Sequence, residues 1–190
     1  MNWEDGVKYA IQIIKGEINV NRDVRLACQR FINQYENKEW QYYFDVDYVQ
    51  HFLEFVGQLR HTKGPDAGKP IILEPFQILF VCAIYGFRSK KDHSRRMVTD
   101  VILFIPRKAG KSTLTAAIAL YELVCGEAGS EVFTLATNRE QATIVFDAAK
   151  GFIEYMESDF AEIFNVSKYE IKKAGDAQSM FKALSRDTKK

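Results

Sequence analysis

The stretch FIPRKAGKST, residues 104–113, decides the fold class because it contains most of a phosphate-binding loop. The general pattern of such a loop, G-x-x-x-x-G-K-[S/T], places one glycine five positions before another. Here the second glycine is Gly110, and Ile105 occupies the earlier position. A bare Gly-Lys-Ser triplet is weak evidence on its own. The flanking segments therefore have to decide between a phosphate site and an ordinary turn.

The segments on the two sides of this loop predict a strand and a helix. Val101–Ile105 is a continuous apolar run that ends at Pro106, which is typical of a strand buried on both faces of a parallel sheet. The segment STLTAAIALYELVCG, which begins at Ser112, predicts a helix that ends near Gly126. A P-loop lies between such a strand and such a helix, where free N–H groups and the positive helix end attract phosphate.

The mechanics of the motif give each residue of its second half a role. Gly110 lets the backbone approach the ligand closely, and Lys111 reaches the β- and γ-phosphates. Ser112 offers its hydroxyl to Mg²⁺, and Thr113 is placed to contact the α-phosphate. The loop therefore predicts a site for a nucleoside triphosphate with Mg²⁺.

The alternation of strand and helix continues after the loop and indicates an α/β fold with a parallel sheet. EVFTLAT, residues 131–137, predicts a second strand, and Thr137 with Glu140 predicts a capping box at the next helix. VSKYEI, residues 166–171, and SMFKAL, residues 179–184, predict short strands. The helix between carries its apolar residues on one face: Ala142, Val145, Phe146, Ala149, Phe152, Ile153 and Met156.

Residues 1–60 predict a helical segment that precedes the α/β part. Two amphipathic patterns occur there, one starting at Asn21 or Asp23 and one starting after Asp45. HTKGPDAGKP, residues 61–70, is the clearest loop, and we place the main boundary there. The segment that follows predicts a buried helix, with Pro75 in the first turn and Gly86 at the end.

Composition indicates a globular domain and excludes several classes of protein. The 190 residues are 47% hydrophobic with a net charge of +1, and no apolar run is long enough to cross a bilayer. The start lacks the pattern of a secretion signal, and three scattered cysteines fit a reducing cytosol better than a disulfide framework or a zinc site. The basic run RSKKDHSRR, residues 88–96, is either a DNA-phosphate contact or a solvated connector.

PRKAGKST, preceded by LEPFQ and followed by FTLATNREQA, resembles the ATPase domain of tailed-phage large terminase subunits, the motors that pump DNA into procapsids. In that family the first glycine of the loop is replaced and an arginine lies inside it, as Ile105 and Arg107 do here. The resemblance runs from about residue 61 to the end. It implies an α/β fold of the P-loop NTPase (RecA/ASCE-like) type, incomplete at the C-terminus. Residues 1–60 would be a helical lead-in, and residues 61–190 the first part of the ATPase domain.

The resemblance also implies site residues. Gln77 corresponds to the glutamine that contacts adenine, because an amide can both donate to and accept from the base edge. Arg107 corresponds to the loop arginine that senses the γ-phosphate, and Arg107 and Lys111 would act in catalysis. The nucleotide site as a whole would comprise Gln77, Arg107, Lys108, Ala109, Gly110, Lys111, Ser112 and Thr113, with Ser112 on Mg²⁺.

One requirement of ATP hydrolysis is not visible in the sequence. After Lys111 no apolar strand ends in the paired acids that hold Mg²⁺ and activate water. In the family this Walker B strand follows a stretch like MFKALSRDTKK, and the coupling motif and nuclease domain come later. We therefore expect this chain alone to bind ATP weakly and not to turn it over at a useful rate.

The resemblance implies the partners of the complete protein and leaves alternative functions for this chain. Double-stranded DNA, the portal protein and the small terminase subunit are the expected partners, in a homo-oligomeric motor in the host cytoplasm. Two alternatives stay open: another P-loop NTPase, and a non-catalytic fragment that keeps only nucleotide binding or an assembly surface.

Overall fold

The computed structural model describes residues 1–185 and forms an α/β structure of helices and two small sheets. The helices are α1 Glu4–Ile14, α2 Arg22–Glu36, α3 Val46–Gln58, α4 Pro75–Tyr85, α5 Lys111–Cys125, α6 Arg139–Glu154 and α7 Ser158–Ala161. The strands are β1 Tyr42–Phe44, β2 Phe87–Ser89, β3 Glu131–Ala136, β4 Phe164–Val166, β5 Glu170–Lys173 and β6 Asp176–Ser185. Within this described part, no helix is both long and apolar enough to cross a membrane.

The chain divides into two compact units that interleave along the sequence. Unit 1 comprises Met1–Glu54 and Ile72–Ile102, and unit 2 comprises Phe55–Ile71 and the residues from Leu103 onward. The limits of the two units differ from the boundary that the sequence predicts at residues 61–70. The segment after that loop, from Ile72 to Ile102, belongs to unit 1. The boundary of the ATPase domain at residue 61 stays a prediction.

The helices predicted in unit 1 are confirmed, together with their start signals. The Asn21 side chain accepts the Val24 N–H at 2.9 Å and caps α2, whereas Asp23 lies inside the first turn. The Asp45 carboxylate, immediately before α3, accepts the Asp47 N–H at 3.1 Å. Such caps satisfy N–H groups that have no acceptor within the helix.

Helix α4 has the predicted limits and is largely buried in unit 1. Pro75 is its first residue and Gly86 follows its end. Its backbone approaches α1 closely, since a methyl group added at Gly6 would lie 2.6 Å from the Leu79 nitrogen. The absence of a side chain at Gly6 therefore lets the two helices pack backbone to backbone.

The basic run after α4 is partly used by the fold of unit 1. Arg88 is only 7% exposed, its guanidinium lies 3.3 Å from the centre of the Tyr48 ring, and it donates to the Ser94 carbonyl at 2.8 Å. Lys90 donates to the Lys38 carbonyl at 2.6 Å. These two cations therefore serve internal contacts, and for the rest of the run a DNA contact and a solvated connector both stay open.

The sheet of unit 2 is mixed, which corrects the prediction of a parallel sheet. Its order is β3-β6-β5-β4, in which β3 pairs with β6 in parallel and the other pairs are antiparallel. The predicted strand at residues 166–171 is interrupted, because Ser167 and Glu170 close a turn between β4 and β5. SMFKAL does lie within β6, as predicted.

Helices α5 and α6 contact each other and both contact β3 and β6, which builds the core of unit 2. Phe146 of α6 meets Phe181 of β6 edge to face, with ring centres 5.3 Å apart. The predicted apolar face of α6 is buried apart from the half-buried Val145. Phe133 and Leu135 of β3, by contrast, are 41% and 75% exposed. Because side chains alternate along a strand, these two residues share a face that the helices leave uncovered.

The apolar run before the loop does not form the predicted buried strand. Residues 101–106 have no strand structure, and Ile102 and Phe104 are 95% and 98% exposed. A strand exists only where a neighbour accepts and donates its backbone hydrogen bonds. None of the strands in residues 1–185 pairs with this segment, so its apolar composition alone does not make it a strand.

The predicted capping box at α6 is wrong by one residue. Asn138, not Thr137, is the N-cap, and its side chain accepts the Gln141 N–H at 2.9 Å. Asparagine is at least as good an N-cap as threonine, so the helix begins one position later. Thr137 instead donates to the Gln141 side-chain oxygen at 3.4 Å.

A hydrogen-bonded carboxylate joins two turns of unit 2. The Ser179 hydroxyl donates to Asp176 at 2.6 Å, and the Gly129 N–H donates to the same carboxylate at 3.1 Å. These bonds, that from Ser179 foremost, lower the pKa of Asp176 from its ordinary 3.8 to about 2. Asp176 therefore stabilises the fold above the unfolded-state pKa, and this stabilisation is lost as the pH falls through the folded-state pKa.

We predict that Asp176→Asn lowers the melting temperature at pH 7 and that the gap to the parent chain narrows as the pH falls from 5 towards 2. Melting followed by circular dichroism over this range measures it. Asp66→Asn is the control, because Asp66 forms an exposed pair with Lys69 and such pairs contribute little. A gap for Asp176→Asn that is constant with pH would contradict the linkage.

Candidate functional site

Helix α5 begins at Lys111 directly after a left-handed residue, Gly110, with φ 75° and ψ 14°. The first hydrogen bond of the helix runs from the Leu114 N–H to the Gly110 carbonyl at 2.9 Å. In an α-helix the N–H groups of the four residues before this point have no acceptor within the helix. The backbone amides of residues 110–113 are thus placed to bind an anion.

The side chains of the first turn are arranged as the motif requires. Lys111, Ser112 and Thr113 occupy the first three helical positions. Lys111 is exposed, whereas Ser112 and Thr113 are half-buried. The ammonium group, the two hydroxyls and the amides can together bind phosphate oxygens and a hydrated divalent cation.

The charged residues of the loop itself are all positive. Arg107, Lys108 and Lys111 lie within five residues, and the sequence has no acidic residue between Asp100 and Glu122. The positive end of the α5 dipole adds to these charges. At the other end of α5, Lys173 donates to the Val124 carbonyl at 2.7 Å, which places a cation at the negative end of the dipole.

The backbone of the loop holds a conformation that sequence reasoning missed. Lys108 has φ 68°, which makes it the single non-glycine residue with positive φ in residues 1–185. Lysine carries no preference for this conformation, so the sequence gives no signal for it. Arg107 and Lys108 form an exposed turn, and Ala109 is half-buried behind it.

Gln77 lies in unit 1, whereas the loop lies in unit 2. It is the third residue of α4 and is 7% exposed. Its side-chain oxygen accepts the Glu74 N–H at 2.9 Å, which is one half of a capping box. Gln77 is therefore a buried capping residue and not a polar residue on a helix surface, and its contact with adenine stays a prediction.

The acidic residues after Lys111 that the structure describes form no metal centre. Glu154, Glu157, Asp159 and Glu162 are all exposed, on or next to α6 and α7. Across residues 1–185, no three His, Cys, Asp or Glu side chains converge as metal ligands would. Arg186 and Asp187, which follow β6, lie outside the described residues.

Comparisons with known proteins identify the family of this chain. The family model of the terminase large subunit, ATPase domain, matches residues 75–189. The large terminase subunit of Enterobacteria phage HK97 is 34% identical over 130 residues, which cover 67% of this chain and 24% of that protein. The crystal structure of the HK97 large terminase superposes with a TM-score of 0.60 at 28% identity, covering 75% of this chain and 28% of that one. The chain thus spans about a quarter of the length of these relatives.

The family model covers more than half of the chain, and its match includes the whole loop and α5 through β6. The chain therefore belongs to the terminase large subunit family, and the matched part is its ATPase domain.

Proposed function

We propose that residues 107–113 bind the triphosphate of ATP together with Mg²⁺. The observation that carries this proposal is the left-handed Gly110, which opens α5 with Lys111, Ser112 and Thr113 at its first three positions. The match to a family of ATPases supports it. A triphosphate with Mg²⁺ suits the residues present. Its negative charge would meet free backbone amides and the cationic side chains of a loop that contains no acidic residue.

Each residue of the first turn has a role that its position supports. The amides from Gly110 to Thr113 donate to phosphate oxygens, and the Lys111 ammonium neutralises the charge of the β- and γ-phosphates. The Ser112 hydroxyl is a ligand for Mg²⁺, and Thr113 contacts the α-phosphate. Because the body of α5 is buried, the backbone amides of its first turn have a defined position before the ligand arrives.

The residues before Gly110 act on the far end of the triphosphate. Arg107 is exposed in the turn, and its planar guanidinium can bind two γ-phosphate oxygens at once. We assign it to sensing the γ-phosphate and to neutralising charge in the transition state. Lys108 and Ala109 supply backbone N–H groups that donate to phosphate oxygens.

Gln77 is proposed as the adenine contact. Its carboxamide is oriented by the bond to the Glu74 N–H, which fixes the plane of the group at the start of α4. A fixed amide costs less entropy on binding than a mobile one. Discrimination of ATP from GTP is the property that tests this role.

The complete protein is proposed to be the ATP-driven motor that moves double-stranded DNA into procapsids. Portal protein, the small terminase subunit and further copies of the large subunit are its proposed partners, in the host cytoplasm. These statements extend beyond the matched ATPase domain, since the chain spans about a quarter of its relatives.

A second proposal concerns the 190-residue polypeptide by itself, namely that it binds ATP without turning it over. The observation that favours it is the distribution of acids: in the described residues after Lys111, none lies at the end of an apolar parallel strand. Hydrolysis needs a carboxylate to position the attacking water and another to hold the metal.

We predict that Lys111→Ala weakens binding of ATP with Mg²⁺ by about ten- to a hundredfold, because charge-assisted hydrogen bonds to the phosphates are lost. Isothermal titration calorimetry measures the change. Lys63→Ala is the matched control, since Lys63 is exposed in the same unit but lies outside the loop. Equal affinities for Lys111→Ala and the parent chain would refute the phosphate site.

We predict that Gln77→Glu abolishes the preference for ATP over GTP, and a melting curve checks that the variant remains folded. Glutamate at this position still accepts the Glu74 N–H and suits a helix start, but it has no N–H to donate to adenine. Titrations with both nucleotides and a melting curve measure the two effects. An unchanged ATP preference would show that Gln77 serves only as a cap.

We predict that the 190-residue chain saturates with ATP and releases phosphate no faster than its Lys111→Ala variant in a steady-state assay. Binding of ATP and release of phosphate are measured on the same preparation, so that binding without turnover is observed directly. Phosphate release that Lys111→Ala eliminates would contradict the proposal that the polypeptide lacks the acids for hydrolysis.

A further inference from the structure

The sign of φ alternates through the loop. Lys108 and Gly110 are left-handed, with φ 68° and 75°, whereas Arg107 and Ala109 have negative φ. Two left-handed residues therefore flank Ala109 immediately before α5 starts. The other left-handed positions in residues 1–185 are all glycines.

Alternation of this kind makes successive backbone N–H groups point towards a common centre. Such a concavity, a nest, binds anions through partial positive charges that belong to the backbone. The nest of residues 107–110 continues directly into the free amides of the first turn of α5. The backbone of Lys108 therefore lies within the stretch whose amides are placed to meet an anion.

Lysine is a poor residue for this position. In the left-handed region its β-carbon is crowded by the following carbonyl, whereas glycine has no such penalty and asparagine tolerates the region better than other residues. β-Branched residues are the least tolerant. The conformation persists at Lys108 because Pro106 restricts the chain before it and Gly110 and α5 fix the chain after it.

We propose that Lys108 is a positioning residue for phosphate binding, and that it acts through its left-handed backbone more than through its side-chain charge. The proposal rests on the triphosphate site proposed above. Residues that adopt the left-handed conformation easily will preserve or strengthen binding, and residues that resist it will weaken binding even when the fold is intact.

The test is a series of variants at position 108 of the full chain, titrated with ATP and Mg²⁺ and, separately, with inorganic triphosphate. Lys108→Gly is expected to bind as tightly as the parent chain or up to about threefold more tightly, and Lys108→Asn within about threefold. Lys108→Val is expected to bind about tenfold more weakly. Lys108→Met, which loses only the charge, is expected to lose about threefold at low salt and to recover at 0.5 M salt.

Gly64→Ala controls for conformational strain outside the site. Gly64 has φ 78°, and no atom lies within 4 Å of an added methyl group. This variant is expected to lower the melting temperature and leave both affinities unchanged. If Lys108 had a purely structural role, Lys108→Val would likewise lower the melting temperature and leave both affinities unchanged.

The outcomes distinguish a failure of the Lys108 proposal from a failure of the proposed triphosphate site. If the parent chain binds neither ligand, the triphosphate site fails and the inference fails with it. If the parent chain binds and Lys108→Gly, Lys108→Met and Lys108→Val all weaken equally, the charge is the contribution of Lys108 and the inference alone is overturned. The same holds if Lys108→Val changes the melting temperature without changing affinity.

Discussion

The structure of unit 2 depends on one helix that is buried along its body and open at its start. Leu114, Leu120 and Leu123 are each 1% exposed or less, and they hold α5 against α6 and the sheet. The helix cannot slide or tilt without opening this core. The backbone amides of its first turn are therefore presented at a defined position, and the proposed contacts of this turn with the triphosphate rely on that constraint.

The same constraint explains why the loop tolerates an unusual sequence. Ile105 stands where the common pattern has glycine, so the backbone freedom that a glycine would supply is absent at that point. The chain makes its tight turn later, at Lys108 and Gly110, where the left-handed conformation is observed. Rigid packing on the far side of the loop lets a lysine remain in a conformation it does not favour.

Sequence patterns predicted the elements whose information is local. The N-cap Asn21, the limits of α4, the strand β3 and the buried face of α6 follow from periodicity and from side-chain hydrogen bonds to nearby N–H groups. The loop and the order of Lys111, Ser112 and Thr113 on α5 were also predicted. The N-cap of α6 was predicted at Thr137 because Glu140 lies three residues later, but Asn138, which caps a helix at least as well, occupies that position.

Elements that depend on distant partners were not predictable in this way. The apolar residues 101–105 were expected to be a strand, but pairing decides strands and no described strand pairs with them. The antiparallel β4–β5–β6 part of the sheet, the pairing of β1 with β2 and the burial of Arg88 on Tyr48 likewise come from tertiary contacts. Gln77 illustrates the same difference within the candidate site. Its capping bond to the Glu74 N–H depends on residues three positions apart, whereas a contact with a nucleotide depends on the tertiary structure.

The most direct test of the central claim is a two-dimensional NMR titration of the ¹⁵N-labelled chain with a non-hydrolysable ATP analogue and Mg²⁺. If the amides at the start of α5 bind the triphosphate, the backbone resonances of residues 108–113 shift most, and they shift in the direction expected for stronger hydrogen bonding. A spectrum in which these resonances stay in place while those of another segment move would contradict the account.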